Sequence, residues 1–365
     1  MKLCQVYNIA SHYRTAIYSL IDKNFECDLF CSKNSTDIKS MNLSQLKGRT
    51  KEVNTISIGN LSYQIGIPSL AFKKYDAYLV TGDTWCVSTW LLLFLCKIFR
   101  KDVYLWSHGL LGRENGIKKK LNLLFVKLAK GVFLYGDRAK QLLIKEGINA
   151  KSLHVVYNSL DYESQLKLRE SSLRSNIYEN HFKEESKTLI FIGRLTKVKR
   201  LDLILDALSI MNNRGNKVNL VVVGNGSEYD SLSIKVKNDN LSEQVWFYGA
   251  SYDEKNNAEL IYNADLCVAP GNVGLTAIHT LMFGTPVITN SDFSNQMPEF
   301  EAIVENVTGD FFEKGNVEAL ADSITRWLKT HSDRESVRCA CYQEIDSRWN
   351  PEYQIQVFNK VLKKQ

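Results

Sequence analysis

The sequence lacks a hydrophobic run long enough to cross a membrane. Its longest apolar stretch, WCVSTWLLLFLCKIF around Val87 to Phe99, is interrupted and too short to span ~30 Å of hydrocarbon. The first residues, MKLCQVYNIASHY, contain no apolar core of a signal peptide. We therefore expect a cytoplasmic protein that is either free or peripheral at the inner face of the membrane.

Paired cysteine motifs are also missing. The eight cysteines are scattered and never occur as C-x-x-C, and several lie in apolar runs. This pattern argues against a disulfide framework and against a zinc site. It predicts buried, reduced thiols.

A strong charge of one sign is missing as well. The 46 lysines and arginines against 40 aspartates and glutamates give a net charge of +6 over 365 residues. This is too weak to indicate nucleic acid as a partner, and it is compatible with anionic substrates or an anionic membrane surface. The length predicts two domains, and the 44% hydrophobic content is that of an ordinary globular protein.

Apolar runs of strand length alternate with helical patterns in two blocks, which is typical of βαβ units and parallel sheets. The fold class is therefore α/β with two Rossmann-like domains. The predicted divisions are 1–160 for the first domain, 161–187 for a polar linker, 188–345 for the second domain and 346–365 for a C-terminal helix. Ligands of open parallel sheets bind beyond the carboxyl ends of the strands, so we expect the site in a cleft between the domains.

Two strand–loop–helix units of the second block carry the clearest chemistry. In TLIFIGRLTKVKRL, Gly193 ends a strand, and Arg194 and Lys199 follow in the loop. A planar guanidinium and a mobile ammonium together match two adjacent phosphates. The alternative is a solvated cationic loop.

Two glycine-rich segments accompany that loop. VVVGNGSEYDSL places Gly224, Asn225 and Gly226 where backbone amides can face an anion, or where an ordinary tight turn begins. APGNVGLTAIHT contains Gly271, Asn272, Gly274, Leu275, Thr276 and His279. Thr276 and His279 share a helix face that can meet a ribose or a phosphate, and the alternative is a capped helix with a buried structural histidine.

The first block offers weaker candidates. His108 follows a strand in VYLWSHGLLGRE and is either a contact to the transferred group or a structural loop residue. Tyr13 and Arg14 follow the first strand, where they either face the cleft or begin a helix. Asp83 follows another strand and is a candidate acid or base on the acceptor side.

One helix of the first block is basic and amphipathic. IKKKLNLLFVKLAK, from Ile117 to Lys130, can lie on anionic lipid. The alternative is a surface helix whose apolar side packs on the sheet.

The motifs of the second block, in this order, resemble those of glycosyltransferase family 4, which has the GT-B fold. FIGRLTKVKR is similar to that family's donor-phosphate loop, with Arg194 and Lys199 in matching places. VVVGNGSEYDSL, VWFYGAS and EAIVENVTGDFF, which contains Glu301, resemble further family segments. The match covers most of residues 131–328, whereas the first 130 residues match mainly in architecture.

This resemblance implies a retaining transfer from a nucleotide diphospho-sugar, without a metal or other cofactor. Arg194 and Lys199 would stabilise the leaving diphosphate, and His108 would contact the sugar. It also implies that the C-terminal helix returns to the first domain. The implied partners are a nucleotide sugar and a glycan or lipid-linked glycan acceptor. The basic helix adds the membrane surface as a candidate contact, and the weak net charge argues against nucleic acid.

The sequence departs from the family at two positions. The family carries two glutamates with seven residues between them around the last loop, and Gly271 and His279 stand in their places. His279 can still donate one hydrogen bond to a ribose, and Asn272, Glu299 and Glu301 are candidate substitutes.

The hypothesis is a glycosyltransferase of cell-surface polysaccharide assembly. The missing carboxylates leave two alternatives open: a nucleotide-sugar-binding protein of the same fold without transferase activity, and a sugar-nucleotide epimerase, which would need several acid and base side chains.

Overall fold

The computed structural model describes residues 1–33 and 39–363. They form two compact units, one of Met1–Asp161 with Asn350–Gln365 and one of Tyr162–Trp349. Each unit is built on its own parallel sheet. The predicted α/β fold class is thereby confirmed.

The first unit contains a seven-stranded parallel sheet in the order β3-β2-β1-β6-β7-β8-β9 and an antiparallel hairpin of β4 and β5. Its strands are β1 (Lys2–Tyr7), β2 (Glu26–Ser32), β3 (Arg49–Val53), β4 (Thr55–Ile58), β5 (Leu61–Gln64), β6 (Ala77–Thr81), β7 (Asp102–Ser107), β8 (Gly131–Leu134) and β9 (Leu153–Val155). The helices that follow them are α1 (Thr15–Asn24), α2 (Val87–Ile98), α3 (Gly116–Leu128) and α4 (Asp137–Lys145).

Both faces of this sheet are covered, which explains the continuous apolar runs of its strands. In β1, Cys4 and Val6 join the core on one face, while Leu3 and Tyr7 join the core on the other. Strands β1 and β6–β8 have buried side chains on both sides, and therefore they show no polar alternation.

The second unit contains a six-stranded parallel sheet in the order β12-β11-β10-β13-β14-β15. Its strands are β10 (Thr188–Ile192), β11 (Asn219–Val223), β12 (Val245–Gly249), β13 (Leu266–Ala269), β14 (Val287–Asn290) and β15 (Gly309–Phe312). Its helices are α5 (Tyr162–Ser171), α6 (Ile177–Phe182), α7 (Asp202–Asn213), α8 (Tyr229–Asn238), α9 (Glu254–Asn263), α10 (Leu275–Met282), α11 (Val317–Thr330) and α12 (Arg334–Arg348). The polar stretch interpreted as a linker contributes α5 and α6 to this unit, and it buries Gln165 and Tyr178 there.

The last helix, α13 (Pro351–Leu362), belongs to the first unit. Proline cannot continue a preceding helix but fits a first turn, and the Asn350 side chain accepts a hydrogen bond from the Tyr353 backbone N–H at 2.8 Å. Ile355, Phe358 and Leu362 then pack in the core that also holds α1. The final two residues of the predicted helix lie outside the described residues.

Two absences predicted from the sequence can be compared with the structure. Over residues 1–33 and 39–363 no helix has the length and apolar character needed to cross a membrane. None of the eight cysteines is in a disulfide, and seven are buried. Cys339 on α12 is exposed, which corrects the expectation that all the thiols are buried.

Candidate functional site

The strand order of the second sheet reverses direction at β10. From β10 the chain steps outward to β11 and β12, then returns to the other side of β10 to form β13, β14 and β15. The loops that leave the carboxyl ends of β10 and β13 therefore diverge, and such a switch point is where open α/β sheets bind ligands. The candidate residues of the second unit lie on these two loops and on the loop after β11.

Glycines allow the loops after β10 and β11 to lie in direct contact. Gly193 and Gly224 have φ values of +151° and +150°, which side chains rarely adopt. A Cβ at Gly224 would stand 1.9 Å from the Gly193 carbonyl oxygen, and one at Gly226 would stand 2.3 Å from the Leu195 carbonyl oxygen. Gly224 and Gly226 thus let the loop after β11 pack directly against the loop after β10, which carries Arg194 and Lys199 and is called the cationic loop.

Asn225 adds two hydrogen bonds to this contact between the loops. Its carbonyl oxygen accepts a hydrogen bond from the Leu195 N–H at 2.9 Å, and its side-chain oxygen accepts one from the Gly226 N–H at 2.7 Å. The described contacts of this segment are those of a tight turn that positions the neighbouring loop.

The loop after β13 crosses the cationic loop at Lys199. The Gly271 N–H donates to the Lys199 carbonyl oxygen at 3.0 Å, and the Lys199 ammonium donates to the Asn272 carbonyl oxygen at 2.8 Å. A Cβ at Gly271 would stand 2.0 Å from the Val198 carbonyl oxygen. Only glycine permits this crossing, so the absence of a side chain at Gly271 has a structural reason.

The two cations of the site differ in their surroundings. Burial lowers the pKa of Lys199, the Arg194 guanidinium lowers it further, and the Glu299 carboxylate opposes them. Arg194 is exposed, and within the described residues its guanidinium has no hydrogen bond or ion pair. Two cations that repel each other, one of them free, form a site that an anion would stabilise.

Thr276 and His279 lie on α10, and each already has a partner. The Thr276 hydroxyl donates to the carbonyl oxygen of Ile192, the last residue of β10, at 3.0 Å. His279 Nε2 lies 2.8 Å from Glu254 Oε1, which also accepts a hydrogen bond from Gln165 at 2.7 Å. Gly274, with φ of −138° and ψ of −133°, precedes Leu275, the first residue of α10.

The His279 partner was missed by sequence reasoning. Glu254 begins α9, after the Asp253 side chain caps that helix by accepting a hydrogen bond from Lys255 N–H at 2.9 Å. The Asp-Glu pair beyond the strand VWFYG was the available signal. Hydrogen bonds from His279, Gln165 and Asn257 lower the pKa of Glu254 against the effect of burial, which raises it. A carboxylate is thus present at the carboxyl edge of this sheet, supplied by a different helix.

A buried polar cluster holds the loop after β13, and it was also missed. The Gln296 side-chain oxygen accepts from the Val273 N–H at 2.6 Å, and the Asn290 side-chain amide donates to the Gly271 carbonyl oxygen at 2.8 Å. Both side chains are buried. Their amide groups were indistinguishable from surface polar residues in the sequence, because the pairing depends on the return of β14 to the sheet.

Asn272, Glu299 and Glu301 are the candidate substitutes for the missing family glutamates, and all three are close in sequence to residues of this buried cluster. Glu299 is buried and Glu301 is half-buried, and both belong to the short 3-10 helix Pro298–Ala302. Asn272 Oδ1 is buried and has no hydrogen-bond partner among the described residues. Of these three, Asn272 is in direct contact with Lys199.

A cavity of about 660 Å³ in the same unit lies elsewhere. It is lined by Thr188 and Asp265, which stand at the amino ends of β10 and β13. The cations that line it are paired: Lys187 and Arg334 with Asp265, at 3.1 and 3.2 Å, Arg338 with Glu335 at 3.2 Å, and Arg174 with Glu179 at 3.8 Å. They differ in this from Arg194 at the carboxyl edge of the sheet.

In the first unit the structure brings His108, Arg14 and Tyr13 together. The Arg14 guanidinium lies 4.9 Å from the ring centre of Tyr135 and 5.8 Å from that of Tyr13, and the His108 ring is 4.7 Å from Tyr135. Burial and the Arg14 charge lower the pKa of His108 to about 4, so this imidazole is neutral at pH 7. Its Nδ1 is buried without a hydrogen-bond partner among the described residues.

Asp83 has a different position from these residues. It follows β6, and its side-chain oxygen accepts a hydrogen bond from the Trp85 N–H at 2.9 Å. This contact shapes the turn that leads into α2. Within the residues that the structure describes, no group of three or more histidine, cysteine, aspartate or glutamate side chains is placed to hold a metal.

The sheet order and its switch-point loops are those of the GT-B class. HepE from Anabaena, solved in complex with UDP, matches with a TM-score of 0.74 over 100% of both chains at 17% identity. The apo form of the lipopolysaccharide outer core galactosyltransferase WaaB matches with a TM-score of 0.72 over 100% of both chains at 15% identity. These likenesses establish the GT-B fold, as predicted.

Sequence comparison gives a match over part of the chain. Residues 174–343, which lie in the second unit, match the family model of glycosyl transferases group 1. A 41.2 kDa protein of the cps region of Klebsiella pneumoniae is 26% identical over 235 residues, which are 63% of this chain and 57% of that protein. N-acetyl-alpha-D-glucosaminyl L-malate synthase of Bacillus anthracis is 28% identical over 182 residues, 49% of this chain and 45% of that enzyme.

The chain thus spans about half the length of the curated relatives it matches. The family model and the named relatives confirm the resemblance found in the sequence, and the solved structures confirm the fold that it implies.

Substitution of Gly224 by alanine tests whether the close approach of the loops is required for stability. We expect a loss of about 3 kcal/mol in the free energy of unfolding, because the new Cβ would overlap the Gly193 carbonyl oxygen. Gly215→Ala is the control, since its φ of +72° is also positive but nothing lies within 4 Å, and it should cost about 1 kcal/mol. Urea unfolding measures both variants, and equal losses would contradict the close contact.

Proposed function

We propose that this chain is a retaining glycosyltransferase that moves a sugar from a nucleotide diphospho-sugar to a growing glycan of a cell-surface polysaccharide. The observation that carries the proposal is the pair Arg194 and Lys199 at the switch point of the second sheet. A relative from a cps region and a structural neighbour that acts on lipopolysaccharide outer core support the polysaccharide acceptor. The neighbour in complex with UDP supports a nucleotide donor.

The two cations are arranged for a leaving diphosphate. Lys199 is half-buried and tied to the Asn272 carbonyl oxygen, so its ammonium has a fixed position. Arg194 is exposed and its guanidinium fork is available for two phosphate oxygens. Negative charge that develops as the glycosidic bond breaks would be stabilised by charges already in place, which is electrostatic catalysis.

The pair of Glu254 and His279 serves the nucleoside end of the donor in this proposal. Glu254 Oε1 is occupied by His279 and Gln165, while Oε2 has only a long contact of 3.5 Å to Asn257. With 37% of its side chain exposed, Glu254 can accept a hydrogen bond from a ribose hydroxyl. The carboxylate lost at position 279 is then replaced from α9.

The proposal also covers the cofactor requirement, the acceptor and the location of the enzyme. The reaction needs no metal or other cofactor, the acceptor is a glycan or a lipid-linked glycan, and the enzyme works on the cytoplasmic side. The contact of His108 with the sugar and the acceptor-side roles of Tyr13, Arg14 and Asp83 stay predictions.

The first test removes the two cations. In Arg194→Ala with Lys199→Ala, release of free nucleoside diphosphate from a panel of nucleotide diphospho-sugars should fall by at least about 10³-fold, because the leaving group loses its stabilisation. Lys197→Ala is the control, since Lys197 is an exposed cation of the same loop, and it should release at the wild-type rate. Circular dichroism checks that the fold is intact.

Unchanged release in the double variant would overturn the assignment of this site. Release measured with and without a glycan acceptor separates a transferase from a protein of the same fold that only binds the nucleotide sugar.

The second test concerns the ribose. Glu254→Gln should weaken the binding of a ribonucleoside diphosphate by about tenfold or more and leave the 2′-deoxy analogue nearly unaffected, because a hydrogen bond to a carboxylate is worth about 1.5–3 kcal/mol. Glu259→Gln, an exposed glutamate on the same helix, is the matched control. Calorimetric titration of both nucleotides measures the preference, and a variant that keeps it would exclude Glu254 from the ribose contact.

A further inference from the structure

Exposed apolar side chains are concentrated in one part of the first unit. Among the described residues, 22 large hydrophobic side chains are exposed, and 14 of them fall between residues 56 and 124. Soluble proteins rarely expose contiguous apolar patches, and those they expose commonly mark interaction sites. The concentration therefore needs a partner to explain it.

Helix α2 contributes a continuous stripe to this surface. Val87, Leu91, Phe94 and Ile98 recur every three or four residues, so they share one face of the helix, and they are 39, 43, 57 and 57% exposed. Leu92, Leu93 and Cys96, on the opposite face, are fully buried in the core. Helix α2 thus buries one apolar face in the core and exposes a second apolar stripe on the opposite side.

Helix α3 continues the surface beside α2. The two helices touch through the rings of Trp90 and Phe125, whose centres are 4.8 Å apart. Ile117, Leu121 and Leu124 also have helical spacing, and they are 77, 43 and 50% exposed. This helix packs Leu123, Phe125, Val126 and Leu128 on the core of the first unit, whereas these three apolar side chains remain exposed. We use the term apolar face for the exposed apolar side chains of the two helices, which are Val87, Leu91, Phe94 and Ile98 of α2 and Ile117, Leu121 and Leu124 of α3.

The segment that carries the apolar face is also the basic part of the chain. Residues 54–130 contain eleven lysines and arginines and four aspartates and glutamates, whereas the whole chain has 46 and 40. The net charge of +7 in this segment exceeds the +6 of the whole chain, so the rest is nearly neutral. Lys118, Lys119 and Lys120 lie in the first turns of α3, and Lys118 stands 6.0 Å from the ring centre of Trp85.

From this combination we propose that the apolar face docks on an anionic lipid bilayer. Apolar side chains would enter the headgroup region while the exposed Lys118 and Lys120 meet lipid phosphates, as in helices that lie flat on membranes. Lys119 is paired with Glu146 at 2.6 Å. A second copy of the chain is a poorer partner, since α2 and α3 together contain five lysines and no aspartate or glutamate, and two such surfaces repel each other. The inference names the membrane contact of the proposed enzyme but does not depend on its chemistry.

The test is sedimentation of the full chain with lipid vesicles. Vesicles of phosphatidylcholine with about one third phosphatidylglycerol should carry the protein down, and pure phosphatidylcholine should carry far less. Leu91→Ser with Phe94→Ser and Ile98→Ser should reduce the partition coefficient by at least about tenfold. Lys118→Gln with Lys119→Gln and Lys120→Gln should reduce it on the order of 10²-fold, and added salt should do the same to the wild type.

The control for the apolar variant is Leu173→Ser with Ile234→Ser and Tyr252→Ser. These side chains of the second unit are 80, 59 and 96% exposed. This control variant should bind vesicles as the wild type does. Absence of sedimentation with anionic vesicles, equal binding by the apolar variant, or lipid-free dimers that this variant abolishes would each overturn the proposal. Nucleotide release measured on the same variants keeps the two proposals separate, because the apolar face contains none of the donor-loop residues.

Discussion

The crossing of two backbones at Lys199 is the constraint on which the candidate site depends. The loop after β13 donates a hydrogen bond to the Lys199 carbonyl oxygen and accepts one from its ammonium, and the approach leaves no room for a Cβ at Gly271. The same loop is tied from behind by Gln296 and Asn290. A mobile cation is thereby converted into a charge of fixed position, and its pKa is lowered by burial. An anion that enters would relieve both the desolvation and the repulsion from Arg194.

This constraint also explains the departure from the family pattern. A glutamate at position 271 would place its Cβ against the Val198 carbonyl oxygen, so the close crossing and a side chain at this position exclude each other. At position 279 the change is chemical rather than steric, because His279 recruits Glu254 and keeps a carboxylate at the carboxyl edge. The two differences therefore have different consequences. The glycine at position 271 permits the close crossing of the two loops, and the histidine at position 279 pairs with an acidic group on another helix.

Most strands of the two sheets could be predicted from the sequence, because the central strands are buried on both faces and therefore appear as continuous apolar runs of strand length. Strands β3, β4, β5 and β15 differ from the others in this respect. β3 and β5 begin with exposed residues, β4 is exposed throughout, and β15 is an edge strand after a turn, so none has the pattern of a central strand. The cations and glycines of the site were recognisable from spacing. Glu254, Asn290 and Gln296 were not, since their roles arise from contacts between residues that are distant in the chain.

The central claim is that the switch-point loops of the second unit bind a diphosphate, and thermal unfolding with a panel of nucleoside diphosphates tests it most directly. At 100 times its dissociation constant, a bound nucleotide should stabilise the protein by ~2.7 kcal/mol. The account predicts that at least one diphosphate raises the unfolding temperature, that the monophosphate of the same base raises it less, and that Lys199→Ala removes the effect. A panel in which no diphosphate shifts the unfolding of the wild-type protein would contradict it.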